Sequence, residues 1–277
     1  MVDMTMVLTS AQGVSDDQVA QALAGVVSDA PRRLSACAVD VALRGALPAV
    51  VLAGVDINFV PSKNRAKKLL IADMDSTIIP VECIDELADF AGVKVQISKI
   101  TEMAMSGEMG FEESLEARVA LLVGLGEGAL ARAYEERISL NPGARDMVQA
   151  MNASGAYTAL VSGGFTYFTA KVAADTGFQH NRANTLNMAN GVLDGTVGKP
   201  ILGREAKLEA MDELCAACGI ARADVIAVGD GANDLAMIEG AGLGVAYRAK
   251  PALKAKADAV LDHSDLSALL ALQGLRH

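Results

Sequence analysis

The run Leu69-Leu70-Ile71-Ala72 breaks off directly into Asp73-Met74-Asp75-Ser76-Thr77. Four consecutive apolar residues leave a strand no polar face for water, so it must be covered on both sides, as in a parallel sheet clad by helices. The two carboxylates then stand at the strand's carboxyl end, where open α/β sheets form their ligand crevice. The pattern recurs. Tyr157 to Val161 runs into Ser162-Gly163-Gly164, and Val225 to Val228 into Gly229-Asp230-Gly231-Ala232-Asn233-Asp234. Helical periodicity fills the intervals at Ala144 to Ala153, Phe165 to Ala174, Glu205 to Cys218 and Leu235 to Glu239, and Gly242 to Ala246 reads as one more strand. Such alternation predicts an α/β fold with a doubly wound parallel sheet.

Two stretches stand outside that alternation. From Cys83 to Ile138 the pattern is helical, glycine-interrupted and without a strand, which predicts a helical insertion over about residues 82–140. Before residue 66, short β-like runs at Met4 to Leu8, Leu34 to Leu43 and Ala49 to Leu52 accompany a helical run from Asp16 to Val27. They predict a small α+β domain over residues 1–65, with the main domain over 66–277 and the polar, proline-opened stretch Pro61 to Lys68 between them. Asn190-Gly191 suits a tight hairpin turn. Every motif lies after Lys68, so catalysis is expected to survive removal of Met1 to Pro61.

A formal net charge of −10 repels polyanions and argues against nucleic acid or an anionic membrane as partner. The longest nearly uncharged run, Gly45 to Val55, is too short to cross a bilayer. Asp3, with no basic cluster before the first apolar run, disfavours a cleaved secretory signal, so a cytoplasmic location is expected. Cys37, Cys83, Cys215 and Cys218 lack the dense spacing of a disulfide framework and are expected as reduced thiols, the Cys215-x-x-Cys218 pair packing on a helix. Lys63, Arg65, Lys67 and Lys68 read as a solvated linker. Gly240-Ala241-Gly242-Leu243-Gly244 precedes a strand where a dinucleotide loop would follow one. Self-association into a homo-oligomer is compatible with the sequence, which sets no oligomeric state.

Phosphoryl transfer needs an in-line nucleophile, a cation to gather phosphate oxygens and donors for the charge on the transferring group. Asp73 can attack phosphorus, and Asp75 can protonate the leaving oxygen and later activate water. Asp230 and Asp234, with Asp73, are hard oxygen ligands suited to Mg²⁺, and Lys207 adds a fixed positive charge. Ser162 and the amides after it fall at a strand-to-helix junction, which favours an anion. Thr77 is placed to orient Asp75 or to cap the next segment. Singly, each of these is ordinary turn, cap or surface chemistry; in order, each after the right strand, they converge on one site.

With these motifs the chain resembles the haloacid dehalogenase superfamily of phosphatases, through Asp73 to Thr77, Ser162, Lys207 and Asp230 to Asp234. Within it, the resemblance is to members that hydrolyse O-phosphoserine in the last step of serine biosynthesis, and it runs from about Leu69 to about Leu270. It implies Asp73 as nucleophile, Asp75 as acid and base, and Mg²⁺ on Asp73, the Asp75 carbonyl and Asp230, with Asp234 in support. The helical insertion becomes a cap over the substrate. Glu82 matches the residue that holds the substrate ammonium, Arg118 the one that clamps its carboxylate, and Met105 and Phe111 apolar cap residues. Ser162, Gly163, Lys207 and Asn233 complete the implied substrate-binding set. Read without the resemblance, Glu82 is a helix-start acid and Arg118 an exposed arginine paired with Glu113 or Glu116. The amino-terminal segment resembles small regulatory modules of the amino-acid-binding kind, which implies a small-molecule effector there.

Two other readings compete. One is another member of the superfamily, acting on a different small phosphomonoester, which Glu82 and Arg118 argue against, or handing phosphate to homoserine, which would present the same ammonium and carboxylate to both residues. A phospho-accepting signalling domain also uses a strand-end Asp, a Ser or Thr and a Lys, but it has no need of Asp75 or of a cap. His180, His263 and His277 lie outside every motif, which disfavours a histidine nucleophile and predicts surface positions.

Overall fold

A computed structural model of the chain describes residues 3–105 and 108–276, apart from the side chain of Met105. The chain opens with Met4–Thr9 (β1), Asp16–Ala22 (α1), Arg32–Ser35 (β2), Ala38–Ala42 (β3) and Asp56–Pro61 (β4). These strands make an antiparallel sheet in the order β2-β3-β1-β4. A capping box between Ser15 and Gln18 starts α1, which satisfies backbone donors that the first turn leaves unpaired. The helix ends at Ala22, short of the expected Val27, and the expected strand Leu34 to Leu43 is two strands joined by a turn. Ala49 to Leu52 is not a strand; Asp56–Pro61 is. β4 turns Asp56 and Asn58 inward together with Val60, so its alternation is invisible to a reading by hydropathy.

The second sheet is built from Leu69–Ala72 (β5), Tyr157–Phe165 (β6), His180–Asn184 (β7), Val225–Gly229 (β10), Leu243–Tyr247 (β11) and Ala259–Leu261 (β12), with a hairpin of Leu186–Ala189 (β8) and Val192–Val197 (β9) set apart from it. Its order is β12-β11-β10-β5-β6-β7, parallel throughout. This is the doubly wound sheet expected from the sequence. Successive residues of β5 enter opposite cores: Leu70 and Ala72 join one apolar cluster, Leu69 and Ile71 the other. Between β5 and β6 lie Cys83–Phe90 (α2), Lys94–Met105 (α3), Phe111–Ala120 (α4), Glu127–Arg137 (α5) and Ala144–Ala153 (α6). The first four form the helical insertion. Thr166–Thr176 (α7), Arg204–Cys218 (α8), Leu235–Gly240 (α9), Pro251–Lys254 (α10) and Ala268–Leu272 (α11) complete the chain.

Asn190 and Gly191 turn the β8–β9 hairpin with φ of 52° and 79°, the left-handed values a two-residue loop requires. The hairpin reaches the insertion, where Gly124 N donates to Leu193 O (2.8 Å), Leu193 N to Leu125 O (2.8 Å) and Glu127 N to Gly191 O (3.1 Å). Among the described residues all four cysteines are free, with Cys215 buried and Cys218 exposed on α8, and no helix is long and apolar enough to cross a membrane.

The two sheets meet through buried polar groups. Asp56 accepts from the amides of Asp262 (2.9 Å) and His263 (3.0 Å) and from the Ser264 hydroxyl (2.6 Å). Asn58 donates to Val260 O (3.0 Å) and accepts from Val260 N (2.8 Å). Arg65 ties Asp40 (2.7 Å) to the carbonyls of Ala271 (2.8 Å) and Leu272 (3.1 Å), where the α11 dipole favours a cation. The basic stretch is therefore a clasp at Arg65, not a solvated linker. Asp56→Ala leaves two amides without their acceptor, while the Ser264 hydroxyl keeps Thr9 Oγ1 (2.7 Å), and is expected to cost about 2–4 kcal/mol in urea unfolding. An unchanged midpoint would show that the seam carries no stability. Removing Met1 to Pro61 strips the same partners, so the remainder is expected to lose stability before it loses chemistry.

Candidate active site

The order of the strands brings the motifs together. β5 lies between β10 and β6, with Ala72 in register with Val228 and Leu160, so the residues beyond these three strand ends share one crevice at the point where the winding reverses. Asp73 N donates to Val228 O (3.0 Å) and fixes the first carboxylate there. Its Oδ1 accepts from Met74 N (2.7 Å) and from Lys207 Nζ (2.7 Å), and its Oδ2 from Asn233 Nδ2 (3.3 Å). Lys207 also donates to Asp234 Oδ1 (2.6 Å). Asp234 Oδ2 closes its own loop by accepting the amides of Asp230 (3.1 Å) and Gly231 (3.0 Å). A Cβ on Gly229 would sit 2.4 Å from Asp234 Cγ, so only glycine permits that closure.

Beyond Asp73, Ser76 takes φ of 56° and turns the chain so that Asp75 faces back into the crevice. Asp75 Oδ1 accepts from Cys83 N (2.9 Å) and Oδ2 from the Ser162 hydroxyl (3.1 Å). Ser162 accepts in turn from Gly164 N (2.8 Å). The Ser162-Gly163-Gly164 stretch is not the strand-to-helix junction the sequence suggested. β6 continues to Phe165 and its register slips between Val161 and Phe165, so these residues form a bulge that re-aims the serine. A Cβ on Gly164 would stand 2.6 Å from Asp75 Oδ2. Thr77 is buried beside them, its carbonyl held by Asn141 Nδ2 (2.7 Å), and its hydroxyl bonds no described residue. It does not orient Asp75 by a hydrogen bond.

Burial raises the Asp73 carboxyl well above the usual range, Asp234 adds to this, and Lys207 pulls against both. Lys207 is itself held firmly charged, since Asp234 and Asp73 outweigh its burial. Asp75 is also raised by burial, against the Cys83 and Ser162 donors. Asp230 is pushed up to about 6, mainly by burial and then by Asp234. Asp73, Asp230 and Asp234 each offer one oxygen, all within 4.8 Å of one another. Such crowding favours a divalent cation of the hard, oxygen-seeking kind. Asp234 is the most heavily engaged of the three, its Oδ1 holding Lys207 and its Oδ2 two loop amides, whereas Asp73 Oδ2 has only the 3.3 Å bond from Asn233.

A cavity of about 730 Å³ lies between these residues and the insertion, lined on the sheet side by Asp73, Asp75, Ser162, Gly163, Asp230 and Asn233. Across it stand Glu82, Phe111 and Arg118. Ser76 Oγ donates to Glu82 Oε1 (2.6 Å), and burial followed by the Asp75 charge pushes Glu82 up to about 7. Arg118 is half-buried and donates its Nε to Ser114 O (3.2 Å). It does not pair with Glu116, which binds Lys199; Asp85 and Glu82 are the carboxylates whose charge it feels most. Met105 ends α3, and its side chain lies outside the described residues. So does His277; His263 is exposed, and His180 is half-buried on β7.

Several residues here escaped the sequence reading. Ser76 and Cys83 position Glu82 and Asp75 through local geometry that spacing does not reveal. Arg204 and Lys250 line the cavity as well. The strand-end rule applied to β11 would have found Lys250, and the i, i+3 spacing to Lys207 would have found Arg204.

Fold and site together define a hydrolase class built around a strand-end aspartate. The haloacid dehalogenase-like hydrolase family matches residues 70–239, and the chain belongs to that family. It is similar to a phosphoserine phosphatase of Albidiferax ferrireducens, 47% identical over 74% of this chain and 89% of that protein. A phosphoserine phosphatase of Archaeoglobus fulgidus is 44% identical over 78% of this chain, which spans 63% of that relative's length. A solved structure described as a phospho-aspartyl intermediate analogue of phosphoserine phosphatase is 40% identical with a TM-score of 0.69, over 74% of this chain and 98% of that one.

Proposed function

We propose that this chain hydrolyses O-phosphoserine to serine and phosphate, the last step of serine biosynthesis, through a phosphoryl group carried on Asp73. The observation that carries the proposal is one cavity that joins Asp73 and Asp75 on its sheet side to Glu82 and Arg118 on its cap side. Asp73 attacks phosphorus as the bond to the serine oxygen breaks, and Asp75 gives that oxygen its proton. Asp75 then takes a proton from water, whose oxygen attacks phosphorus and frees Asp73. The raised proton affinity of Asp75 suits the first role, and its bond to Ser162 keeps it aimed. Mg²⁺ would be held by Asp73, Asp230 and the Asp75 carbonyl, and when bound it offsets the charge of the phosphate oxygens. Glu82 meets the substrate ammonium and Arg118 its carboxylate, for which a guanidinium fork is suited.

Phosphate release from a panel of small phosphomonoesters, with Mg²⁺ and with chelator, tests this reading. Phosphoserine is expected to exceed esters lacking an ammonium and a carboxylate by about 100-fold or more in kcat/KM, a margin two desolvated charge contacts can supply. Chelation is expected to stop turnover. Equal rates across the panel would remove the substrate assignment, and full activity without metal would remove Mg²⁺.

A pH dependence follows from Glu82. Its carboxyl titrates near 7 in the free site, and only the ionised form attracts an ammonium. Above that pH it is ready; below it a proton must leave first, so KM for phosphoserine is expected to rise about tenfold per pH unit. Glu82→Gln should carry a high KM without that dependence. A wild-type KM flat between pH 5.5 and 8, roughly the span over which a group of this pKa changes charge, would dissociate Glu82 from the ammonium.

A further inference from the structure

The cavity is an unfavourable place for a phosphate dianion to approach. Asp73, Asp75, Glu82, Asp85 and Asp230 all line it, in a chain of net charge −10. Lys207 is already engaged by two carboxylates, and Arg118 stands on the cap side with Glu82 and Asp85. Two cations remain. Arg204 and Lys250 line the same cavity, both are exposed, and neither forms an ion pair among the described residues.

Both are tied to the loop that carries Asp230 and Asn233. Arg204 Nε donates to Ala232 O (3.0 Å), which spends one edge of the guanidinium and keeps its head at the rim. Lys250 uses its backbone amide, donating to Asp230 O (2.9 Å), so its ammonium is anchored near the crevice without being consumed.

We infer that Arg204 and Lys250 form a cationic rim that captures the phosphate dianion of an incoming phosphomonoester, a steering contact separate from the reacting centre. This rests on the proposed phosphomonoester hydrolysis but not on serine as its alcohol, since the rim meets the group all such substrates share. Fields of this kind raise the local concentration of a charged substrate and fade as salt screens them.

The test compares wild type with Lys250→Gln, the double variant Arg204→Gln/Lys250→Gln, and Arg204→Lys, on phosphoserine and an aryl phosphate at about 10 mM and 500 mM ionic strength, where screening lengths differ several-fold. At low salt the double variant is expected to lose roughly 5- to 20-fold in kcat/KM on both substrates, with kcat within about twofold and the gap closing at high salt. Lys250→Gln, whose tether to Asp230 is untouched, should show part of the loss, and Arg204→Lys should retain the wild-type value. Inhibition by inorganic phosphate should weaken in proportion. A loss in kcat that ignores salt would make both residues supports of the Asp230 loop and overturn the rim, as would low-salt kinetics like the wild type's. Selective loss on phosphoserine alone would also overturn it. A wild type that releases phosphate from neither ester would instead defeat the phosphatase reading on which the rim depends.

Discussion

Asp73→Asn is expected to abolish phosphate release, with a loss of about 10⁴-fold or more, as for other enzymes deprived of their nucleophile. An amide oxygen is too weakly nucleophilic to open the bond to phosphorus, and two of the neighbouring carboxylates are already engaged. Asp75 is committed to Cys83 N and the Ser162 hydroxyl, and Asp234 to Lys207 and two loop amides. The fold should survive. The asparagine oxygen can still accept from Met74 N, and Lys207 keeps Asp234, so urea unfolding should remain cooperative near the wild-type midpoint. Label from substrate phosphate should appear on the wild-type protein in rapid acid quench and not on the variant. Residual turnover above about 1% of wild type, far more than a lost nucleophile leaves, would take the covalent step away from Asp73.

Arg118→Ala is expected to separate recognition from chemistry. Its guanidinium is half-buried, and its one hydrogen bond to a described residue, through Nε to Ser114 O, aligns the fork without using its terminal nitrogens. Losing a clamp on the substrate carboxylate should cut kcat/KM for phosphoserine by about 2–4 kcal/mol, or roughly 30- to 700-fold. Part of this should appear in kcat, because the lost contact also orients the ester under the cap. An aryl phosphate, with no carboxylate to clamp, should be hydrolysed by the variant at nearly the wild-type rate. Arg118→Lys should recover only part of the loss, since an ammonium cannot match both oxygens of a carboxylate. Equal losses on both substrates would make the arginine a support of the cap, and the phosphoserine assignment would lose its clearest residue.

What the sequence disclosed follows from where polar groups occur. Asp73, Ser162 and Asp230 were legible because each interrupts a run that can only be a buried strand, and buried parallel strands converge on one edge. The same logic extended to Tyr247 would have reached Lys250. That Glu82 and Arg118 line one cavity was not legible without the family resemblance, because the start of α2 and the face of α4 are related through α3, which packs on both helices, and not by spacing. β4 failed for the opposite reason: Asp56 and Asn58 point inward to partners some 200 residues later in the chain, and a polar residue whose partner is remote looks like surface. The bulge in β6 was hidden too, since Ser162-Gly163-Gly164 has the composition of a loop.

Asn58 has a consequence beyond joining two sheets. β12 is the terminal strand of the parallel sheet, and its outer backbone would ordinarily stay open to any extended peptide. One carboxamide imitates the next strand at Val260, giving and receiving one bond each. Because this stopper belongs to the same chain, it is present in every copy at one-to-one ratio and needs no concentration to act. The growing end of the sheet is thus sealed as the molecule folds, and chains crowded together lack that edge as a seed for stacking into fibrils.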